Sequence, residues 1–182
     1  MPIWIWIFII LTAVLFGLKM TYVFCTALVM PITQGALYVS TSRVRIAAII
    51  DAVSMKPGQL LVDLGCGDGR VLRRARKYYS VKAIGYEVNL LAYLKAKLLC
   101  IGSKDVIIKR KNFWSADLSD ANVVFCYLYP DVMQKLSRKL KADLKAGTMI
   151  VSCNFGIPGF KLNRVLRPAG ALHSDPLYVY RV

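Results

Sequence analysis

The first 42 residues of this 182-residue chain carry one charged side chain, Lys19. Acids are scarce throughout. Ten Asp and Glu stand against 25 Lys and Arg, for a formal net charge of +15, and Glu87 is the sole glutamate. Charged residues make up 19% of the chain, below the roughly 25% of an ordinary soluble domain. Hydrophobic residues reach 57%, with 3 Trp, 10 Tyr and 7 Phe, which excludes a disordered polyelectrolyte. There is one histidine, His173, and the five cysteines (Cys25, Cys66, Cys100, Cys126, Cys153) form no CxxC pair. Neither a metal site nor a disulfide framework is supported, and reduced, buried thiols in a cytosolic domain are expected. A Gly-Lys-Ser/Thr phosphate loop is absent. So are internal repeats and low-complexity segments.

What is present divides unevenly. The 140 residues after Ser42 hold all ten acids and 24 of the 25 bases, a length that suits one domain with one core. Ahead of them, Pro2 to Leu18 is a 17-residue run without a charge, and eleven of its residues are Ile, Leu, Phe or Val. At roughly −0.3 to −0.6 kcal/mol each near a bilayer centre, they outweigh a single lysine able to snorkel to the interface. Trp4 and Trp6 suit an interfacial aromatic belt. A cleaved signal peptide would need a basic start and a small-x-small cleavage site, and neither is visible. A buried core helix is the remaining alternative. The expectation is a single-pass anchor over 1–30, stopped by Pro31, although Met20 to Ser42 could instead complete a hairpin of two spans. A helix to Met30 would be about 42 Å long. Arg43 and Arg45 then place the body on the cytoplasmic side, or in the matrix of a mitochondrion. The 31–42 linker reaches at most about 43 Å, so any site in the 43–182 domain stays near the membrane surface.

The chemistry-bearing segment is Gln59 to Arg70, QLLVDLGCGDGR. Leu60 to Leu64 reads as a buried parallel strand entering a glycine turn, Gly65-Cys66-Gly67-Asp68-Gly69, followed by a helix from Arg70 to Tyr79. The glycines allow a tight turn and close approach of a ligand. The spacing GxGxG differs from the dinucleotide pattern GxGxxG and is weak evidence alone. It gains weight from Glu87, at the end of a second strand from Val81 and 22 residues after Gly65, where an acid accepts ribose hydroxyls. Asp63, Asp68 and Glu87 would converge at the carboxyl ends of adjacent strands. An acidic crevice in a basic protein suits a cationic ligand with a ribose and disfavours a pyrophosphate. The plainer alternative is a turn whose aspartates cap a helix.

Val62 to Gly69 together with Glu87 resembles the glycine and acidic motifs of class I S-adenosylmethionine-dependent methyltransferases. The resemblance implies S-adenosyl-L-methionine as cofactor. Its methionine part would border Asp63, Gly65 and Gly67, with Cys66 and Asp68 in the same turn, and its ribose would meet Glu87. Asn112 and Phe113, after a third strand from Asp105 to Lys109, match the region that reads the adenine. A narrower resemblance follows from the order of segments: an anchor, Gly35 to Thr41, Asp63 to Arg70, Asp117-Leu118 and Tyr127-Leu-Tyr-Pro130. This order is similar to the small membrane-anchored protein-lysine methyltransferases that include the ATP synthase c-subunit enzyme and bacterial relatives. There the segment like Gly35 to Thr41 covers the cofactor, which implies contacts from Tyr38 and Thr41.

Ile46, Ile49, Ile50 and Val53 follow one helical face, with Asp51 opposite. Asn89 suits the N-cap of a helix from Leu90 to Cys100. A fourth strand over Asp120 to Tyr127, a helix over Asp131 to Lys145 and a fifth strand over Gly147 to Asn154 complete a βα alternation. Pro168 to Gly170 reads as a turn joining Asn163–Arg167 to Leu177–Val182 as a hairpin. The expected fold is a Rossmann-like, doubly wound, mostly parallel α/β sheet with a C-terminal antiparallel hairpin. Tyr127 and Tyr129, at the end of the fourth strand, are the candidates to orient a methyl acceptor, with Asp117 to hydrogen-bond or desolvate it. A tyrosine merely packing beneath the cofactor is the alternative. Basic clusters on the 70–79 and 131–145 helices and at Lys109 to Lys111 suit an anionic membrane surface, nucleic acid or simple solvation. The expected substrate is a lysine of a membrane protein. A lipid or quinone headgroup, nucleic acid and a non-catalytic scaffold are the alternatives. Neither the oligomeric state nor the identity of the acceptor follows from the residues.

Overall fold

Short apolar runs bounded by glycine and proline turns become the strands of one sheet, and the amphipathic segments between them become its covering helices. The computed structural model describes residues 2–33, 43–168 and 175–182. Helix α1 spans Ile3–Thr33 and α2 Arg43–Asp51. Then follow β1 (Leu60–Leu64), α3 (Arg70–Tyr79), β2 (Lys82–Tyr86), α4 (Leu90–Leu99), β3 (Val106–Lys109), β4 (Val123–Cys126), α5 (Met133–Asp143), β5 (Met149–Cys153), β6 (Leu162–Leu166) and β7 (Leu177–Arg181). The chain forms two compact units, 1–37 and 38–182.

In the first unit, α1 contains an apolar stretch, Ile3–Phe24, long enough to cross a membrane, with a mean hydropathy of 2.3. Two of its threonines bond within the helix: the Thr12 hydroxyl donates to the Phe8 and Ile9 carbonyls, and Thr21 to Gly17. Such back-bonding satisfies polar groups that hydrocarbon would leave stranded. The helix runs past Met30 and through Pro31 to Thr33. A proline removes one N–H and disfavours helix at the residue before it. Here it sits in the last turn, so the helix ends two residues later instead of at Met30.

In the second unit the strand order is β3-β2-β1-β4-β5-β7-β6. The first five strands are parallel, and β7 runs antiparallel to both β5 and β6. The expected C-terminal hairpin is present, but β7 inserts between β5 and β6, leaving β6 as the exposed edge. The turn expected at Pro168 to Gly170 falls largely outside the described residues. Alternation along β1 feeds two cores. Leu61 joins Ile46, Ile49, Ile50, Val71, Leu72, Ala96 and Cys100 on one face, while Val62 and Leu64 join Leu136 and Leu140 of α5 on the other. Cys66, Cys100, Cys126 and Cys153 are buried free thiols, and burial pushes Cys126 up to about 12. Chain order reverses between β1 and β4, and the crevice outside the carboxyl ends of the strands at such a switch is where open α/β sheets bind ligands.

Candidate functional site

The glycine turn leaves β1 with three residues in the left-handed region: Gly65 at φ 89°, Gly67 at 55° and Gly69 at 72°. Only residues without a Cβ adopt such a succession cheaply. The Tyr86 carbonyl, at the end of β2, accepts from the Gly65 and Cys66 N–H groups at 3.0 and 2.9 Å, and the Cys66 carbonyl accepts from Gly69 at 2.8 Å. These bonds fix the turn against the tip of β2. Glu87 follows immediately. One of its carboxylate oxygens accepts from the Gly67 N–H at 2.9 Å, the other from the Asn89 N–H at 2.7 Å. The sole glutamate therefore ties the glycine turn to the entry of α4, a structural role beside the ribose contact expected from its spacing. Asn89 is the cap expected there, its side chain accepting from the Leu91 and Ala92 N–H groups.

Asp63 lies at the end of β1, paired in register with Gly85 of β2 and Phe125 of β4. It is 2% exposed, and its Oδ1 is buried without a hydrogen-bond partner. Burial first, then the charges of Glu87 and Asp68, push its carboxyl well above the usual range. Burial also raises Glu87, against the opposing pull of its backbone donors. Two desolvated acids side by side favour a ligand that brings positive charge and hydrogen-bond donors.

Asp68 differs from the expectation that three acids hold the ligand. It receives two hydrogen bonds from the Arg70 guanidinium, at 2.8 and 2.7 Å, and stands 3.6 Å from Lys95. Burial alone would raise its carboxyl, but Arg70, with Lys95 and Arg73, brings it below the usual value. A carboxylate already held in a fork has little left for a ligand, so the open pair is Asp63 and Glu87. Cys66 is buried beneath the turn, its thiol pushed up by burial and by Asp63, and its Sγ packs against Gly85. Asn112 caps the turn Phe113–Ser115 by accepting from the Trp114 N–H at 3.1 Å. Phe113 packs partly buried beside Trp114. Tyr38 and Thr41 lie outside the described residues.

At the neighbouring rim, Tyr127 just follows β4. Its half-buried hydroxyl accepts from Arg45 Nη1 at 3.3 Å and Asn154 Nδ2 at 3.1 Å, and the Arg45 guanidinium lies 5.5 Å from its ring centroid. Arg45 is itself buried and paired with Asp175. With both lone pairs of its oxygen engaged, Tyr127 can offer an incoming amine its proton or its ring, not an acceptor. Asn154 has a left-handed backbone, φ 65°, and its Oδ1 is buried without a partner. Tyr129 is 37% exposed at the start of the turn Pro130–Val132. Asp117 is exposed and accepts from the Ser119 N–H at 2.9 Å. Together with the Ser119 side chain, that bond keeps its carboxyl below the usual value, and its charge helps burial raise Tyr86.

Arg45, Asp175 and Asn154 were not among the residues expected at the site. A signal existed for Arg45, which lies four residues before Ile49 and so shares part of the apolar face of α2. For Asn154 the signal is a residue type that tolerates the left-handed region at the end of a strand. No pattern marks Asp175.

S-adenosyl-L-methionine would satisfy these acceptors: its sulfonium and ammonium are cations, and its ribose hydroxyls could donate to Glu87. Residues 63–164 match the sequence profile of the family described as ANTKMT methyltransferase domain. A protein-lysine N-methyltransferase of Saccharolobus islandicus (strain REY15A) is 32% identical over 148 residues, covering 79% of this chain and 91% of that one. The adenine nucleotide translocase lysine N-methyltransferase of Mus musculus is 34% identical over 131 residues, covering 70% of this chain and 57% of that longer protein. Among solved structures, an RNA methyltransferase from Salinibacter ruber in complex with S-adenosyl-L-homocysteine superposes with a TM-score of 0.73 at 28% identity. That match covers 79% of this chain and 94% of the other. The chain belongs to the ANTKMT methyltransferase domain family and is an S-adenosyl-L-methionine-dependent methyltransferase.

Proposed function

We propose that this protein methylates the side-chain nitrogen of a lysine in a membrane-associated protein. The observation that carries this reading is the similarity to the archaeal protein-lysine methyltransferase across nearly the whole of that protein. The mouse relative, whose name gives a translocase as its substrate, supports a protein acceptor. Residues 1–33 act as a single-pass anchor, 34–42 as a linker and cover, and 43–182 as the catalytic domain on the cytoplasmic side, or the matrix side in a mitochondrion.

S-adenosyl-L-methionine supplies an electrophilic methyl group when bound. Asp63 and Glu87 hold its cationic and ribose parts, the backbone of Gly65 to Gly67 lines the turn beside it, and Asn112 with Phe113 borders its adenine. Tyr38 and Thr41 belong to the segment that covers it. The acceptor lysine must arrive with its nitrogen lone pair free. Asp117, an exposed carboxylate, attracts the lysine while it is still an ammonium, and the exposed ring of Tyr129 offers a cation–π face. Moving that ammonium from water to the rim of the sheet lowers its proton affinity, so the proton leaves to solvent without a dedicated base. Tyr127, held by Arg45 and Asn154, fixes the wall against which the amine is aligned, and alignment is the main source of rate in an in-line displacement.

The test supplies radiolabelled donor to the full-length protein in its native membranes and follows the label into protease-sensitive, lipid-extractable or nuclease-sensitive material. Label in protein that yields methylated lysine on hydrolysis is expected. Label in lipid or nuclease-sensitive material instead would overturn the reading. Glu87→Gln is expected to abolish donor binding by calorimetry, and unchanged binding would remove Glu87 from the donor site.

A further inference from the structure

The outer face of α4 carries a row of exposed apolar side chains with no cover among the described residues. Leu90 is 39% exposed, Leu94 51% and Leu98 67%, and Ile101, in the turn that follows, 75%. At 3.6 residues per turn, these four fall within an arc of about 80°. Lys97 lies at one margin of the arc and Lys95 beyond the other. The opposite side of the helix is made of Ala92, Ala96 and Cys100, all buried against the sheet. The sequence of α4, LLAYLKAKLL, contains no acid.

From this geometry we propose that α4 is an interfacial helix that rests on the surface of an anionic bilayer. The stripe enters the boundary between headgroups and acyl chains while Lys97, and Lys95, which stays 56% exposed beside Asp68, meet lipid phosphates. An apolar row flanked by lysines is the pattern of helices that lie in the membrane interface. Charge complementarity selects this occupant over a second copy of the chain, because pairing two α4 faces would set their lysines against each other. The inference rests on the reading of α1 as an anchor, which keeps the body within reach of the lipid. It adds a contact to the basic clusters of the sequence, several members of which are engaged within the domain, as Lys95 is with Asp68. Arg70 and Arg73 are bound to Asp68, Arg76 to Asp105, Lys139 to Asp143 and Lys145 to Asp120, and Lys135 lies over the Trp114 ring. Those charges fasten the domain to itself. The consequence for the enzyme is orientation: with α4 flat on the bilayer, the helix that begins beside Glu87 holds the donor crevice at a fixed height above the lipid.

The full-length protein is reconstituted in phosphatidylcholine vesicles with and without phosphatidylglycerol. The photoreactive amino acid p-benzoylphenylalanine replaces Leu98 in one preparation and Leu162, exposed on edge strand β6, in another. Irradiation is expected to give lipid adducts at position 98, about tenfold more of them with the anionic lipid, and few at position 162. Crosslinks from 98 to a second copy or to another protein, or equal lipid labelling at both positions, would overturn the proposal. A carbonate wash separates the two readings. Protein that stays in the membrane without lipid labelling at 98 sinks the α4 contact alone, whereas protein that washes off sinks the anchor and the α4 contact with it. Leu94→Glu/Leu98→Glu, at exposed positions, is expected to bind donor normally while losing most of its rate on a substrate embedded in anionic vesicles. An undiminished rate would also overturn the proposal.

Discussion

Asp63 is the residue on which the proposed donor site turns. Its buried, unpartnered oxygen is costly while the crevice lacks a cation, and Glu87 beside it adds to that cost. Both carboxyls are raised above their ordinary values of 3.8 and 4.5, so each binds its proton more tightly in the folded state than in the unfolded one. Their contribution to stability is therefore complete below those ordinary values and is lost as pH rises through the raised ones. A bound cation acts in the opposite sense, since it favours the ionised pair. Donor affinity measured by calorimetry is expected to fall as pH is lowered through the raised values of the two carboxyls, and a flat profile would show that neither acid is coupled to the donor. Asp63→Asn is expected to raise the melting temperature of the donor-free protein at neutral pH. The same substitution should weaken donor binding about tenfold or more. Gly85 is a second such position, though its role is packing. A Cβ there would lie 2.5 Å from Cys66 Sγ and 2.6 Å from Leu72 Cδ1. Gly85→Ala is expected to cost about 1–3 kcal/mol of stability by overpacking, seen as a lower midpoint in denaturant. Nothing in the sequence distinguishes Gly85 from any other strand glycine, because its neighbours come from the glycine turn and α3. The position of Glu87 beside the glycine turn was legible, by contrast, because it is the sole glutamate and directly follows the second strand.

Helix α2 shows how far periodicity carries and where it stops. Its apolar face, Ile46, Ile49 and Ile50, is buried as the spacing indicates, as is Val53 just past its end, and Asp51 is exposed. What periodicity could not show is that Arg45 is buried on the same helix, because its partner Asp175 is 130 residues away in sequence. Through Asp175 and Tyr127, Arg45 staples α2 to the start of β7 and the rim of β4. Removing one member of a buried pair leaves the other charge stranded, so Arg45→Met is expected to cost about 3–5 kcal/mol. The double variant Arg45→Met/Asp175→Asn should recover part of that loss, as measured by denaturant unfolding. An Arg45→Met protein as stable as the wild type would show that the staple holds nothing. The same dependence on distant residues explains the other boundaries. The parallel strands follow from short buried runs between glycine turns. The insertion of β7 between β5 and β6 depends on which edges are free once the parallel sheet has formed, and local pattern does not contain that information.

The whole chain joins a helix with the length and composition of a membrane span to a body carrying +14 of the +15 charge. A short linker between a membrane anchor and a catalytic domain acts through effective concentration, as it confines the site to a thin shell above the bilayer and makes encounter with an embedded substrate nearly intramolecular. Donor binding should gain nothing from this confinement, because the donor is soluble and Asp63 and Glu87, proposed to hold it, lie within the second compact unit. The two activities should therefore separate when residues 1–33 are removed, a cut that takes away helix α1 and leaves the segment proposed to cover the donor in place. The shortened protein is expected to bind donor with the affinity of the full chain by calorimetry, while its initial rate on a vesicle-embedded substrate drops by about 10²-fold. With the same substrate solubilised in detergent, the full and shortened proteins should be equally fast, since confinement no longer favours either. Equal rates in vesicles would show that the helix does not localise the enzyme. A shortened protein that binds donor but is slow in detergent as well would mean that the removed residues take part in the reaction rather than in delivery.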